Sequence, residues 1–126
     1  MSERTSRIEQ LEQGQVLIID IGESLEFGQE ELSASVRTKI AEKLGVIVDL
    51  RQTSYIDAVG VGQLVRVNWV CEEAWKKSVF VVAEGENPVQ EIIKFTRLDQ
   101  VLTVRHSLDE ALKEMNEKGA GELKTE

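Results

Sequence analysis

The 126-residue sequence predicts a single α/β domain in which a mixed or mostly parallel sheet is covered by helices. Three observations carry this prediction. Short apolar runs rich in β-branched residues recur along the chain, stretches with helical periodicity lie between them, and those stretches carry their own start signals. Strand and helix alternate, an order that favours crossover connections and therefore parallel pairing.

Taken in order, Ile8 and Leu11 in "IEQLEQG" start a weak edge strand, and residues 16–21, "VLIIDI", form the first strong strand, ending at Gly22. In "QEELSASVRTKIAEKLG", Leu32, Val36, Ile40 and Leu44 stand four apart, which predicts an amphipathic helix stopped by Gly45. Residues 45–51, "GVIVDLR", are the second strong strand. From Ala58 to Lys77 runs a longer helix, with Asp57 placed to cap it and Val61, Leu64, Val67, Cys71, Ala74 and Trp75 along one side. Trp69 and Trp75 are six apart and cannot both point straight inward, so one is expected to be partly exposed.

A third strand, "SVFVVAEG" at 78–85, precedes a helix opened by Asn87 with Pro88 at its first position. The shorter run "VLTV" at 101–104 is the fourth, and Ser107 with Glu110 makes a capping box ahead of "LDEALKEMNEK". The polar C-terminal tail, "KGAGELKTE", is too poor in apolar residues to pack. One domain over 1–126 is expected, with its core at about 8–116 and with 1–7 and 118–126 as frayed tails.

Composition narrows the chemistry. Hydrophobic residues are 41% and charged residues 30% of the chain, and no apolar run reaches the roughly 18 residues of a membrane span. No direct membrane insertion is expected. The start "MSERTSRIEQ" lacks the basic-then-apolar order of a secretory signal, which makes a cytoplasmic location the default. Cys71 is the single cysteine and His106 the single histidine, so neither an internal disulfide nor a cysteine-rich metal site can be assembled. Cys71 fits a buried helical stripe and His106 a surface position. A formal charge of −8 with scattered Lys and Arg argues against binding the phosphate backbone of nucleic acid and towards a protein partner. No paired carboxylates are held for acid–base work, and "GVG" alone is too short for a phosphate loop, so neither a cofactor nor an enzymatic activity is expected.

The stretch Tyr55-Ile56-Asp57-Ala58-Val59-Gly60-Val61-Gly62 has the small residues of a strand-to-helix turn that something approaches closely, yet no serine, threonine, histidine or cysteine. Together with the preceding strand it reads "VIVDLRQTSYIDAVGVGQLV". This segment resembles the STAS family, named for sulfate transporters and bacterial anti-sigma factor antagonists. The resemblance covers about 8–116 and is most specific from Val46 to Leu64, with weaker support from "GESLEF", "NPVQEIIKFTRLDQVLTV" and "SLDEAL".

The resemblance implies a small sheet of four to five strands, about four helices mainly on one face, and a binding surface around the start of the second helix. In the phospho-regulated antagonists, an anti-sigma factor that is itself an ATP-dependent kinase phosphorylates a serine or threonine just after the Asp of this turn, and the complex then separates. Matched residue by residue, Asp57 stands at the family's Asp, Ala58 at the next position, Val59 at the usual phosphoacceptor, and Gly60 and Gly62 at the glycines. Val59 has no hydroxyl, so the resemblance implies a docking turn, Asp57 to Gly62 with Val61 included, whose covalent switch is absent. A phosphate there would bring about two negative charges into a docked surface. Thr53 and Ser54 are the alternative hydroxyls, and Ser24 in "GESLEF" is a candidate contact.

The implied partner is a kinase-type anti-sigma factor or related regulator, with other STAS proteins or a second copy as further partners. The alternatives are a scaffold subunit of a multi-STAS assembly and, from another class, a cytoplasmic accessory subunit of a lipid-type ABC transporter.

Overall fold

The β-branched runs become a sheet because each buries side chains on both of its faces. The structure, a computed structural model, describes residues 3–117. Its elements are β1 (Thr5–Gln10), β2 (Gln15–Asp20), β3 (Ser24–Leu25), α1 (Leu32–Lys39), β4 (Gly45–Asp49), β5 (Tyr55–Ile56), α2 (Ala58–Glu73), β6 (Lys77–Val81), α3 (Pro88–Thr96), a 3-10 turn (Leu98–Gln100), β7 (Val104–Arg105) and α4 (Leu108–Asn116).

The main sheet has five strands in the order β1-β2-β4-β6-β7. β1 runs antiparallel to β2, with Ile8 opposite Leu17, and every other pair in it is parallel. Alternation along the strands divides the core in two. Leu17 and Ile19 of β2, Val46 and Val48 of β4 and Phe80 of β6 face α1, α2 and α3. Val16, Ile18, Ile47, Val79 and Val81 face α4 through Ala111 and Met115. Three helices therefore cover one face and one covers the other, as the mainly one-sided arrangement requires.

Local signals place the helix starts. Asp57 Oδ1 accepts from Gly60 N at 2.8 Å, Asn87 Oδ1 from Gln90 N at 2.9 Å, and Ser107 Oγ from Glu110 N at 3.1 Å. Glu110 reaches back to accept from His106 N, and these hydrogen bonds hold its carboxyl below the ordinary range. Helix layers are tied by buried polar pairs: Gln63 of α2 accepts from Leu32 N at the start of α1, and Asn68 of α2 accepts from the Ser78 hydroxyl of β6.

Five expectations need correction, the first being the strand over 101–104, of which only Val104 lies in β7, because Val101 closes the 3-10 turn. The first helix ends at Lys39, and Leu44 belongs to the α4 side of the core, because Glu42 turns the chain with φ 63° and Leu44 N already bonds Gln15 O beside the sheet. Gly45 is thus the first residue of β4 and no helix stop. The second helix ends at Glu73, and Trp75, expected along its buried side, takes φ 59° and is 93% exposed. β1 begins at Thr5, inside the 1–7 expected as a tail. The expectation of a frayed tail over 118–126 lies outside the described residues.

Candidate functional site: the turn after β4

The turn is built by a second sheet too short to be seen in sequence. β3 and β5 pair in parallel, Ser24 opposite Tyr55 and Leu25 opposite Ile56. This pairing sets the loop after β2 beside the start of α2. Asp57 N donates to Leu25 O, and Asp57 Oδ2 accepts from Phe27 N at 3.0 Å while Oδ1 caps the helix. The N–H of Phe27, then that of Gly60, hold the Asp57 carboxyl below the usual carboxylate range. One side chain thus pins two segments that lie 30 residues apart.

Gly60 permits that junction. A Cβ there would lie 2.1 Å from Leu25 O and 2.9 Å from Ile56 Cγ1. The room Gly60 leaves is filled by the chain itself. Gly62 differs: its nearest neighbour would be the Arg66 Nη1 at 3.2 Å, the end of a flexible side chain paired with Glu31.

The remaining sequence-predicted residues divide by exposure. Ala58 is exposed and Val59 is 40% exposed, in the first turn of α2, whereas Val61 is half-buried against the core. Thr53 is buried, its hydroxyl donating to Gly22 O at 2.8 Å, so it does not face solvent. Ser54 is exposed and sits over Glu23 O. Ser24 is half-buried, and its hydroxyl accepts from Gln29.

Two residues within the quoted stretches were not among the expected contacts. Phe27 is 78% and Tyr55 53% exposed, and both flank the turn. Gln29 holds the Phe27 loop in place: its amide donates to Ser24 O and its Oε1 accepts from Glu26 N. Gly28, at φ 94°, makes the bend that only glycine adopts readily. A large aromatic kept outside by a closed loop was the missed signal; "GESLEFGQ" offers an apolar residue beside a glycine with no periodicity to bury it.

Away from the turn, Cys71 is buried and its thiol is pushed up to about 12 by burial, which makes it core. His106 is exposed, with Nδ1 3.0 Å from Val82 O, a contact that puts the proton on that nitrogen. No helix among the described residues is long and apolar enough to cross a membrane, and those residues hold no group of three or more His, Cys, Asp or Glu able to bind a metal. What the turn presents to solvent is apolar: Phe27, Tyr55 and Val59 are its exposed large side chains.

Comparison with known proteins agrees with this architecture. The chain is similar over 91% of its length to an anti-sigma factor antagonist from Mycobacterium paratuberculosis, covering 96% of that chain at 17% identity and a TM-score of 0.72. An anti-sigma factor antagonist (STAS) domain protein from Planctomyces limnophilus matches at 19% identity and a TM-score of 0.67, with 89% and 98% of the two chains covered. A sulfate transporter family protein from Wolinella succinogenes matches at 21% identity and a TM-score of 0.62, with 79% and 84% covered. At these identities the likeness shows a shared fold. The model of the STAS domain matches residues 7–111, and the chain belongs to the STAS domain family.

Proposed function

We propose that this protein is a non-enzymatic antagonist that binds a kinase-type anti-sigma factor, or a related regulator, through the turn from Asp57 to Gly62, and that it is not switched by phosphorylation there. The observation that carries this reading is Val59: a 40%-exposed valine in the first turn of α2, flanked by exposed Phe27 and Tyr55. Valine accepts no phosphate, and covering it in an interface contributes about 1–2 kcal/mol. Aromatic side chains of this kind dominate binding energy where they are desolvated. The antagonists of similar fold support the choice of partner class.

Likeness to a sulfate transporter family protein favours a second reading, docking of the same surface on the cytoplasmic face of a transporter. One experiment separates the two. The protein is used as bait in extract of its own organism, beside a Val59→Glu variant, and the captured proteins are identified by mass spectrometry. A kinase-fold anti-sigma factor retained by the wild type and lost with Val59→Glu is the expected result. A permease or transport ATPase in its place retires the anti-sigma reading, and equal capture by both baits moves the docking site away from the turn.

A further inference from the structure

Beside the turn lies a groove of about 700 Å³, walled by Glu3 and Arg4 just ahead of β1, the segment from Glu23 to Glu30, and Ser54 with Tyr55. That volume is within the roughly 300–1,000 Å³ of clefts that enclose ligands. Its floor is apolar at Ile21, its wall aromatic at Tyr55, and its rim carries the carboxylates of Glu3, Glu23, Glu26 and Glu30.

Among the described residues, none of these four carboxylates makes an ion pair or accepts a hydrogen bond. The one cation lining the groove, Arg4, is already engaged by Glu30 O at 2.8 Å and Gln29 Oε1 at 3.4 Å. Three negative charges are therefore uncompensated in one cleft. The groove is also continuous with the turn, since Tyr55 lies two residues before Asp57 and Ser24 pairs with Tyr55 across β3 and β5.

The geometry points to a specific occupant: an extended segment of the docked protein, carrying Lys or Arg among apolar residues, lies in this groove while the body of that protein covers Val59. The inference rests on the proposed docking at the turn and adds the chemistry of the partner. Cationic side chains find the rim, and apolar ones pack on the exposed Tyr55 above the buried Ile21. Tyr55 offers a cation its ring face as well. Opposite charges of this kind speed association and fix register more than they add affinity, so the groove orients the partner on the turn.

The test uses the full chain, ¹⁵N-labelled, titrated with a synthetic peptide of alternating arginine and leucine. An otherwise identical peptide of glutamate and leucine, and spermine, are run in parallel. The expected result is saturable shifts of the Glu23, Ser24, Ser54 and Tyr55 amides with the basic peptide and none with the acidic one. Binding weakens as salt shortens the screening length. It also weakens by about threefold to a hundredfold in a Glu23→Gln, Glu26→Gln, Glu30→Gln variant, since three exposed ion pairs are removed. These three side chains make no hydrogen bond or ion pair among the described residues, and an unchanged melting temperature checks that the variant keeps the fold.

Shifts that ignore the triple variant, or that map away from the groove, overturn the inference. Spermine binding as tightly as the peptide also overturns it, because the site then takes a small polycation and no protein segment. Val59 is outside the groove, so Val59→Glu binds the peptide as the wild type does. Where the triple variant loses the peptide, partner capture slowed by at least about threefold supports the groove as the orienting element, and an unchanged capture rate overturns it, while the turn reading stands or falls with Val59→Glu alone.

Discussion

Gly60 and Gly62 are two residues apart in one helix, and the structure assigns alanine opposite effects at the two positions. At Gly60 a Cβ would stand 2.1 Å from Leu25 O, against about 3.3 Å for a close C···O contact. Roughly 1 Å of movement is needed, and the obstacle is backbone. Leu25 O also accepts from Asp57 N, so retreat breaks the bond that joins the turn to β3. Overpacking costs about 1–3 kcal/mol and the lost hydrogen bond about 1, against a helix-propensity gain of about 1. The net is a loss of about 2 kcal/mol, or a melting temperature lower by about 6–10 °C in a domain of this size.

At Gly62 the neighbour is the Arg66 guanidinium, which moves. The same propensity gain is offset only by the exposed Arg66–Glu31 pair, worth about 0–1 kcal/mol. Gly62→Ala is therefore neutral, or raises the midpoint by up to about 4 °C. Differential scanning calorimetry of the two variants decides the matter. Equal changes in both, or a Gly60→Ala protein as stable as the wild type, would refute the packing argument.

Two further outcomes follow from groups away from the turn. Burial pushes the Asp49 carboxyl up, but hydrogen bonds from the Arg51 side chain and backbone, with its charge, more than offset this and leave it below the ordinary 3.8. A carboxylate depressed by folding contributes stability above its unfolded pKa and loses it as pH falls through the folded value. Arg51→Met is therefore less stable than the wild type by about 1–2 kcal/mol at pH 7, and the gap closes below pH 3.8, as urea melts of both proteins at several pH values will report. A gap independent of pH would assign Arg51 a packing role alone. Cys71, with its thiol raised to about 12, stays unreactive towards an aromatic disulfide reagent in the native protein and reacts at once in denaturant; rapid native labelling would contradict its burial.

Legibility in the sequence followed the range of the interaction that fixes each feature. Asp57, Asn87 and Ser107 cap helices through bonds to residues three places on, and each was readable. Four-residue spacing from Leu32 to Ile40 was readable too, but its continuation to Leu44 was a coincidence of spacing across a turn, which only the antipodal placement of Leu44 reveals. Two-residue strands carry no alternation, so β3 and β5 were invisible, and with them the contact that brings Phe27 to Asp57. The turn itself was legible as a motif; the surface around it was set by pairing across 30 residues and was not.

That division also determines which substitutions can speak about binding. Asp57 accepts from two segments and Gly60 accommodates a carbonyl of its own chain, so both serve the fold whether or not anything docks. A partner lost on changing either residue is explained equally by a displaced Phe27 loop. Val59, Tyr55 and Phe27 are exposed, and none of their side chains makes a hydrogen bond among the described residues. Changes there alter the surface while the turn keeps its geometry. Val59→Glu is the sharpest of these: a charge at the helix N-terminus is tolerated in the free protein by the macrodipole but must be desolvated in a complex, so it separates docking from folding where Asp57 and Gly60 cannot.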